Sequence, residues 1–223
     1  MKLKLAAVLM VASSVVFGAS TAADRLEASA TALKEVMGTP DKSIPQDLLN
    51  KAQCIVIVPD LLRGAFIFGA KYGRGFVSCR QKDGVGWSAP GAIKVEGGSF
   101  GFQIGGTATD VFMLIMNEKG MDRLLSTKFT LGGDATAAAG PVGRSTQAET
   151  DAAMTAEILT WSRARGLFAG ISLSGATLRE DEDRIQEMYG KKVTNREIIT
   201  GTMTPPKGAD ALITELNRYS SRK

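Results

Sequence analysis

Gly97-Gly98-Ser99-Phe100-Gly101-Phe102-Gln103-Ile104-Gly105-Gly106 is the stretch on which the fold of this chain turns. In extended conformation, Phe100, Phe102 and Ile104 fall on one face, and Ser99, Gly101 and Gln103 on the other. One face is packed and the other is nearly bare backbone. The same texture surrounds it, for 20 of the 25 glycines lie between Gly64 and Gly175, threaded through Phe-, Ile-, Val- and Trp-rich runs. Glycine within a strand costs roughly 0.5–1 kcal/mol relative to alanine, so this density points to bends, bulges or close backbone approach. Repeated glycine kinks curl an antiparallel sheet towards a barrel. The expected fold class is α+β: a glycine-rich, strongly curved antiparallel sheet or barrel-like core with flanking N- and C-terminal helices.

On the N-terminal side, Cys54 to Val58 is a continuous apolar run stopped by Pro59. Ala65 to Ala70 and Gly75 to Arg80 read as strands flanking a Tyr72-Gly73 turn, and Lys82-Asp83-Gly84 signals a second hairpin leading into Trp87 to Val95. Before them, Leu26, Ala30, Leu33 and Met37 give Asp24 to Met37 a helical stripe, and Ser43 is expected to cap a short helix from about Pro45. On the C-terminal side, Asp110 to Met116 reads as a buried strand, Asn117 as the cap of a helix to Leu125, and Lys128 to Leu131 as extended. Gly132 to Ser145 is a small-residue loop, Glu157 to Arg163 and Leu167 to Leu173 form a hairpin around Ala164 to Gly166, and helices are expected at Leu178 to Tyr189 and Ala209 to Tyr219.

Met1 to Ala23 has the form of a secretory leader, with Lys2 and Lys4, an apolar Leu5 to Phe17 and small residues ending at Ala23. Its apolar run is shorter than the ~20 residues a spanning helix needs. Residues 24–223 are read as one exported, periplasmic or otherwise extracytoplasmic domain with an N-terminal helical segment at 24–52. Without the leader, 25 basic residues face 23 acidic ones, a balance that lacks the concentrated basic footprint of nucleic-acid binding. Cys54 and Cys79 are the only cysteines. In an oxidising compartment they form a disulfide, closing a loop of about 25 residues for roughly 3.5 kcal/mol, or else remain two buried thiols.

The sequence contains no histidine. Ser-His-Asp and Cys-His catalysis are thereby excluded, and two separated cysteines do not build a zinc site without several carboxylates; a carboxylate pair for glycoside hydrolysis is the enzymatic alternative that stays open, but no metal, cofactor or enzymatic activity is expected. Asp181, Glu182 and Asp183 read as a solvated run, which leaves Asp110 as the one acid inside the apolar sheet stretch. Asp110 is assigned a structural role, pairing a buried arginine such as Arg144 and so holding the Gly140 to Arg144 loop. Alternatively, Arg144 on its glycine-rich loop receives an anionic headgroup phosphate with help from backbone N–H groups. Lys71, Arg74, Arg80 and Lys82 lie along one expected hairpin; near an anionic membrane each adds about 1 kcal/mol, and otherwise they are a solvated face.

Several strings together are specific: Lys71-Tyr72-Gly73-Arg74-Gly75, Trp87-Ser88-Ala89-Pro90, Gly97 to Gly105, Thr109-Asp110, Asn117-Glu118-Lys119-Gly120, Ala139-Gly140-Pro141-Val142-Gly143-Arg144, Ser162 with Gly166-Leu167-Phe168-Ala169-Gly170, and Tyr189-Gly190. In these the chain resembles the SYLF domain family from about Gln53 to Thr200. The resemblance implies a lipid-binding module, of phosphoinositide type and actin-associated in eukaryotic members. The function expected from it is non-enzymatic binding of anionic phospholipid or a membrane surface in the cell envelope. Lys71, Arg74 and Arg144 are the headgroup candidates, and Phe66, Phe68, Phe100 and Phe168 the acyl-chain candidates. The alternative is a structural or protein-interaction module with an envelope protein as partner.

Overall fold

The computed structural model describes residues 20–65, 68–81, 85–100, 105–143, 155–164 and 166–220. Among these, nine strands join in one sheet: β1 (Cys54–Ala65), β2 (Phe68–Cys79), β3 (Gly91–Phe100), β4 (Gly105–Ile115), β5 (Lys128–Thr130), β6 (Ala137–Ala139), β7 (Ile158–Ala164), β8 (Leu167–Gly170) and β9 (Thr177–Glu180). The order is β5-β9-β3-β2-β1-β4-β7-β6, with β8 also on β7. The helices are α1 (Ala22–Met37), α2 (Gln46–Lys51), α3 (Glu118–Leu124), α4 (Glu182–Tyr189), α5 (Asn195–Thr200) and α6 (Asp210–Ser220). The fold is α+β, and the sheet is strongly curled as expected. It is antiparallel except where β6 runs parallel to β7.

The curl begins in β1. Cys54–Ile57 pair with Phe76–Cys79 in one register and Leu62–Ala65 with Gly69–Tyr72 in another, so β1 carries one extra residue around Pro59-Asp60. The same slip separates Val58 from Leu61 opposite β4. An inserted residue bends its strand and increases the local twist. Asp60 sits there at φ 52°, and its N–H donates to Asp110 Oδ1 at 3.1 Å. Opposite the bend, β2 carries glycine because nothing larger fits: a Cβ on Gly75 would stand 2.2 Å from Ile57 O, and one on Gly73 2.7 Å from Leu61 Cδ1. This is why Tyr72-Gly73 is strand interior rather than the expected turn, and β2 runs unbroken.

Alternation in β1 sends Ile55 and Ile57 to one face and Val56 and Val58 to the other, and both faces are buried. The first face packs with Phe76, Phe112 and Trp161 beneath Leu26 and Leu33 of α1, Leu49 of α2, Ile185 of α4 and Leu212 and Leu216 of α6. The second, concave face packs Val77, Val95, Val111 and Met113 against Leu124, Phe129, Leu131, Leu173 and Leu178. Cys54 and Cys79 are register partners on this side and form a disulfide, with Cα atoms 3.9 Å apart.

Local signals explain most boundaries. Thr21 caps α1 in a capping box with Asp24, so Thr21 to Ala23, which close the expected leader, here form the cap and first turn of that helix. Asn117 caps α3 as expected, whereas the short helix after Ser43 has Pro45 at its N-terminus. The helix expected from Leu178 is instead a strand followed by a helix. Thr177–Glu180 pair with β3 on one side and β5 on the other, because Leu178 is needed in the concave core. α5 was not anticipated, although Thr194 and Glu197 form a capping box legible as Thr-x-x-Glu.

Candidate ligand-binding site

The expected cationic hairpin does not present one surface. Arg80 is buried, donates to Leu49 O at 3.1 Å and to Ser220 O, and stacks over Trp87 at 3.9 Å, tying α2 and α6 to the sheet. Arg74 lies on the helix-bearing face. Its Nε donates to Tyr72 Oη at 2.8 Å and stands 3.4 Å from Asp181 Oδ2. The Tyr72 hydroxyl, outweighing burial and joined by the Asp181 carboxylate, strengthens its hold on the proton. Asp181 is no solvated acid as expected: it is fully buried, caps α4 by accepting from Arg184 N, and also meets Lys94 Nζ at 3.2 Å. Lys82 lies outside the described residues.

Asp110 pairs with an arginine, as expected of a structural acid, and among the described residues that arginine is Arg163. Oδ2 accepts from Arg163 Nε at 2.9 Å and Nη2 at 2.6 Å, and Arg163 also pairs with Glu35 of α1. One carboxylate thus joins the β1 bend, β7 and α1. Arg144 lies outside the described residues. The loop before it serves the core: Gly140 N donates to Thr160 O and Gly143 N to Ser43 O, so neither N–H is open to a phosphate. Trp161 Nε1 donates to Pro141 O at 2.7 Å, and a Cβ on Gly140 would fall 2.0 Å from the indole Cζ2.

Of the acyl-chain candidates, Phe168 is half-buried on the helix-bearing side, edge-on to Phe112 with ring centroids 6.2 Å apart. It belongs to the core. Phe68 and Phe100 are backbone register partners at the ends of β2 and β3, and Phe66 lies outside the described residues.

Lys71 is placed differently. Odd-numbered β2 residues supply Val77 and Cys79 to the concave core, so Lys71, further along the same strand, lies on that face, opposite to Arg74. Its register partners are Arg63 on β1 and Gly97 on β3, and Arg63 pairs with Thr107 on β4. Here β3-β2-β1-β4 continue alone, since β9 pairs β3 only at Ile93–Glu96 and β7 pairs β4 only at Asp110–Ile115. The concave face therefore passes from Val58, Leu61, Val95 and Val111 to a half-buried pair of cations. Burial, then the neighbouring Arg63 charge, lowers the pKa of Lys71; burial alone lowers that of Arg63. Arg63 Nε and Nη2 are buried with no hydrogen-bond partner. Arg63 was missed because it lies past Pro59, where the apolar run had been read as finished; only the continuation of β1 through its bend reveals it.

Among the described residues no cluster of carboxylates and cysteines suits a metal ion, and no helix is long and apolar enough to cross a membrane. A family model described as Ysc84, Las17-binding protein actin regulator, matches residues 96–219. The chain is similar to LAS seventeen-binding protein 3 of Saccharomyces cerevisiae, at 34% identity over 194 residues covering 85% of this chain and 41% of that protein. It is also similar to SH3 domain-containing YSC84-like protein 1 of Homo sapiens, at 32% identity over 184 residues, 82% of this chain and 53% of that one. The chain spans about two-fifths to half the length of these relatives. With the curled, glycine-pinned sheet and the matched region in agreement, the chain belongs to the Ysc84 family, whose domain is the SYLF domain it resembles.

Proposed function

We propose that this protein is a non-enzymatic lipid-binding module that takes anionic phospholipid at the far end of its curled sheet, outside the cytoplasm. The observation carrying this reading is Lys71, a half-buried cation that, with Arg63 opposite it, ends a concave face lined by Val58, Leu61 and Val95. Such an arrangement suits an amphiphile: a phosphate offsets a desolvated ammonium, and apolar surface lies behind it. The absence of histidine from the sequence supports binding over catalysis, and the leader pattern of Met1 to Ala23 supports export. Co-sedimentation with vesicles of phosphatidylcholine containing one-fifth phosphatidylglycerol tests the reading. Lys71→Gln is expected to reduce the bound fraction severalfold, and equal binding by wild type and variant removes Lys71 from the site.

A second reading is favoured by the names of the relatives, which identify Las17-binding proteins in yeast. In it, the domain binds a protein partner. Capture of a defined envelope protein by the wild-type chain, with no retention on anionic vesicles, would favour this alternative.

A further inference from the structure

We infer that Arg63 and Lys71 form a phosphate-binding clamp across β1 and β2, with Arg63 as the anchoring residue. The inference deepens the lipid reading and partly rests on it, but the clamp would equally serve free phosphate.

Arg63 and Lys71 are directly opposed in the β1–β2 register. Like charges directly opposite one another destabilise a sheet, so the pair is unfavourable without a third party. Both groups are half-buried, which strengthens their repulsion. Two of Arg63's three guanidinium nitrogens are buried and donate to nothing. Buried donors are normally satisfied, and an orphaned charged one is costlier than a neutral one. Among the described residues no carboxylate pairs with either cation, for the nearby acids are engaged on the opposite face: Glu96 with Arg179 at 2.7 Å and Asp110 with Arg163 at 2.6 Å. The sheet thus holds two cations, one with unused donors in a planar fork, and no anion pairs with them among the described residues.

The missing group has definable chemistry. A guanidinium fork matches two oxygens of a tetrahedral phosphate, and an ammonium facing it adds a point charge to a third. Across the ladder Lys71 is opposite Gly97 on β3 and Arg63 opposite Thr107 on β4. Beside Gly97 the turn at Gly175-Ala176 closes in, a Cβ on Gly97 standing 3.2 Å from Gly175 O and Ala176 Cα, so the clamp has a backbone wall. A phosphomonoester or phosphodiester group fits this arrangement, either at the head of a lipid or free in solution.

The test uses the full folded chain. Thermal unfolding is followed with inorganic phosphate and, at matched ionic strength, with chloride; co-sedimentation is measured with phosphatidylcholine vesicles with and without one-fifth phosphatidylglycerol. Wild type is expected to gain stability in phosphate and not in chloride. Arg63→Gln is expected to bind phosphate at least about tenfold more weakly, and Arg63→Lys, which keeps charge but loses the fork, to recover only part. Without ligand, Arg63→Gln should melt at or above the wild-type temperature, because a repulsive cation has been removed. A purely structural arginine would give the reverse, and that result overturns the proposal. So does an equal phosphate response in wild type and Arg63→Gln, or a wild type indifferent to both phosphate and anionic vesicles. Phosphate-specific stabilisation with no vesicle binding upholds the clamp while the lipid reading fails. Vesicle binding that Arg63→Gln abolishes upholds both, and vesicle binding that it leaves intact overturns the clamp.

Discussion

Asp110→Ala removes the acceptor on which three elements converge. The structure gives the cost in parts. Arg163 loses two charge-assisted hydrogen bonds, at 2.9 and 2.6 Å, while its side chain is only 24% exposed. It keeps Glu35, but that side chain is 54% exposed and solvent screens the pair, leaving it worth about 0–1 kcal/mol. Breaking a fully buried pair costs about 3–5 kcal/mol, so this partly exposed one should cost roughly 2–3. The Asp60 N–H, held at φ 52° in the β1 bend, loses its acceptor for about 1 kcal/mol more. The expected loss of about 3–4 kcal/mol corresponds to a fall in melting temperature of roughly 6–16 °C for a domain of this size. Urea denaturation followed by Trp161 fluorescence measures it. Asp110→Asn, which still accepts from Asp60, should fall between alanine and wild type. In a cycle with Arg163→Met, the double variant should cost less than the sum of the singles by about 1.5–3 kcal/mol. A loss below about 1 kcal/mol for Asp110→Ala, or additive singles, refutes the view that Asp110 pins the bend.

The remaining expectations concern packing, covalent constraint and pH. Gly140→Ala places a methyl 2.0 Å from Trp161 Cζ2, and Gly170 crowds the Gly140 carbonyl from the other side, so the loop has nowhere to retreat. A destabilisation of about 2–3 kcal/mol with red-shifted tryptophan emission is expected, and an unchanged melt and spectrum would refute it. Replacing both Cys54 and Cys79 by alanine opens a loop with a sequence separation of 25 and should cost roughly 3.5 kcal/mol in denaturant unfolding, a loss below about 1 counting against the constraint. Burial pushes the Glu157 carboxyl up, but Lys119 at 2.7 Å and the Thr136 N–H at 2.9 Å outweigh it and hold its pKa below the ordinary 4.5. Its contribution to stability is therefore complete above 4.5 and is lost as pH falls through the depressed folded value, because the unfolded chain takes the proton first. Glu157→Gln should flatten that acid limb of the stability curve; an identical limb in the variant would show that the titration lies elsewhere.

Legibility followed the range of the physics involved. Helix caps and stripes are local: Asn117, the Leu26-Ala30-Leu33 stripe and the α6 stripe were each readable from residues three or four apart. The capping box of α5 was equally local and was overlooked. β9 was misread because the period of Leu178 to Tyr189 does not reveal that the outer edge of β3 requires a partner. Tyr72-Gly73 was misread because glycine marks turns and close approaches alike, and only the bend in the neighbouring strand β1 separates the two.

The sequence by itself determined the class of fold, the curl of the sheet, the first and last helices and the family resemblance, because glycine density, alternation and capping are properties of neighbouring residues. Only the tertiary structure decided which charges meet. Arg74, Arg80 and Asp110 found partners in α4, α6 and β7, up to 140 residues distant in the chain, whereas Arg63 and Lys71 were set face to face with none among the described residues. Pairing across a sheet depends on register. Register here depends on a single extra residue in β1, whose effect no local pattern discloses.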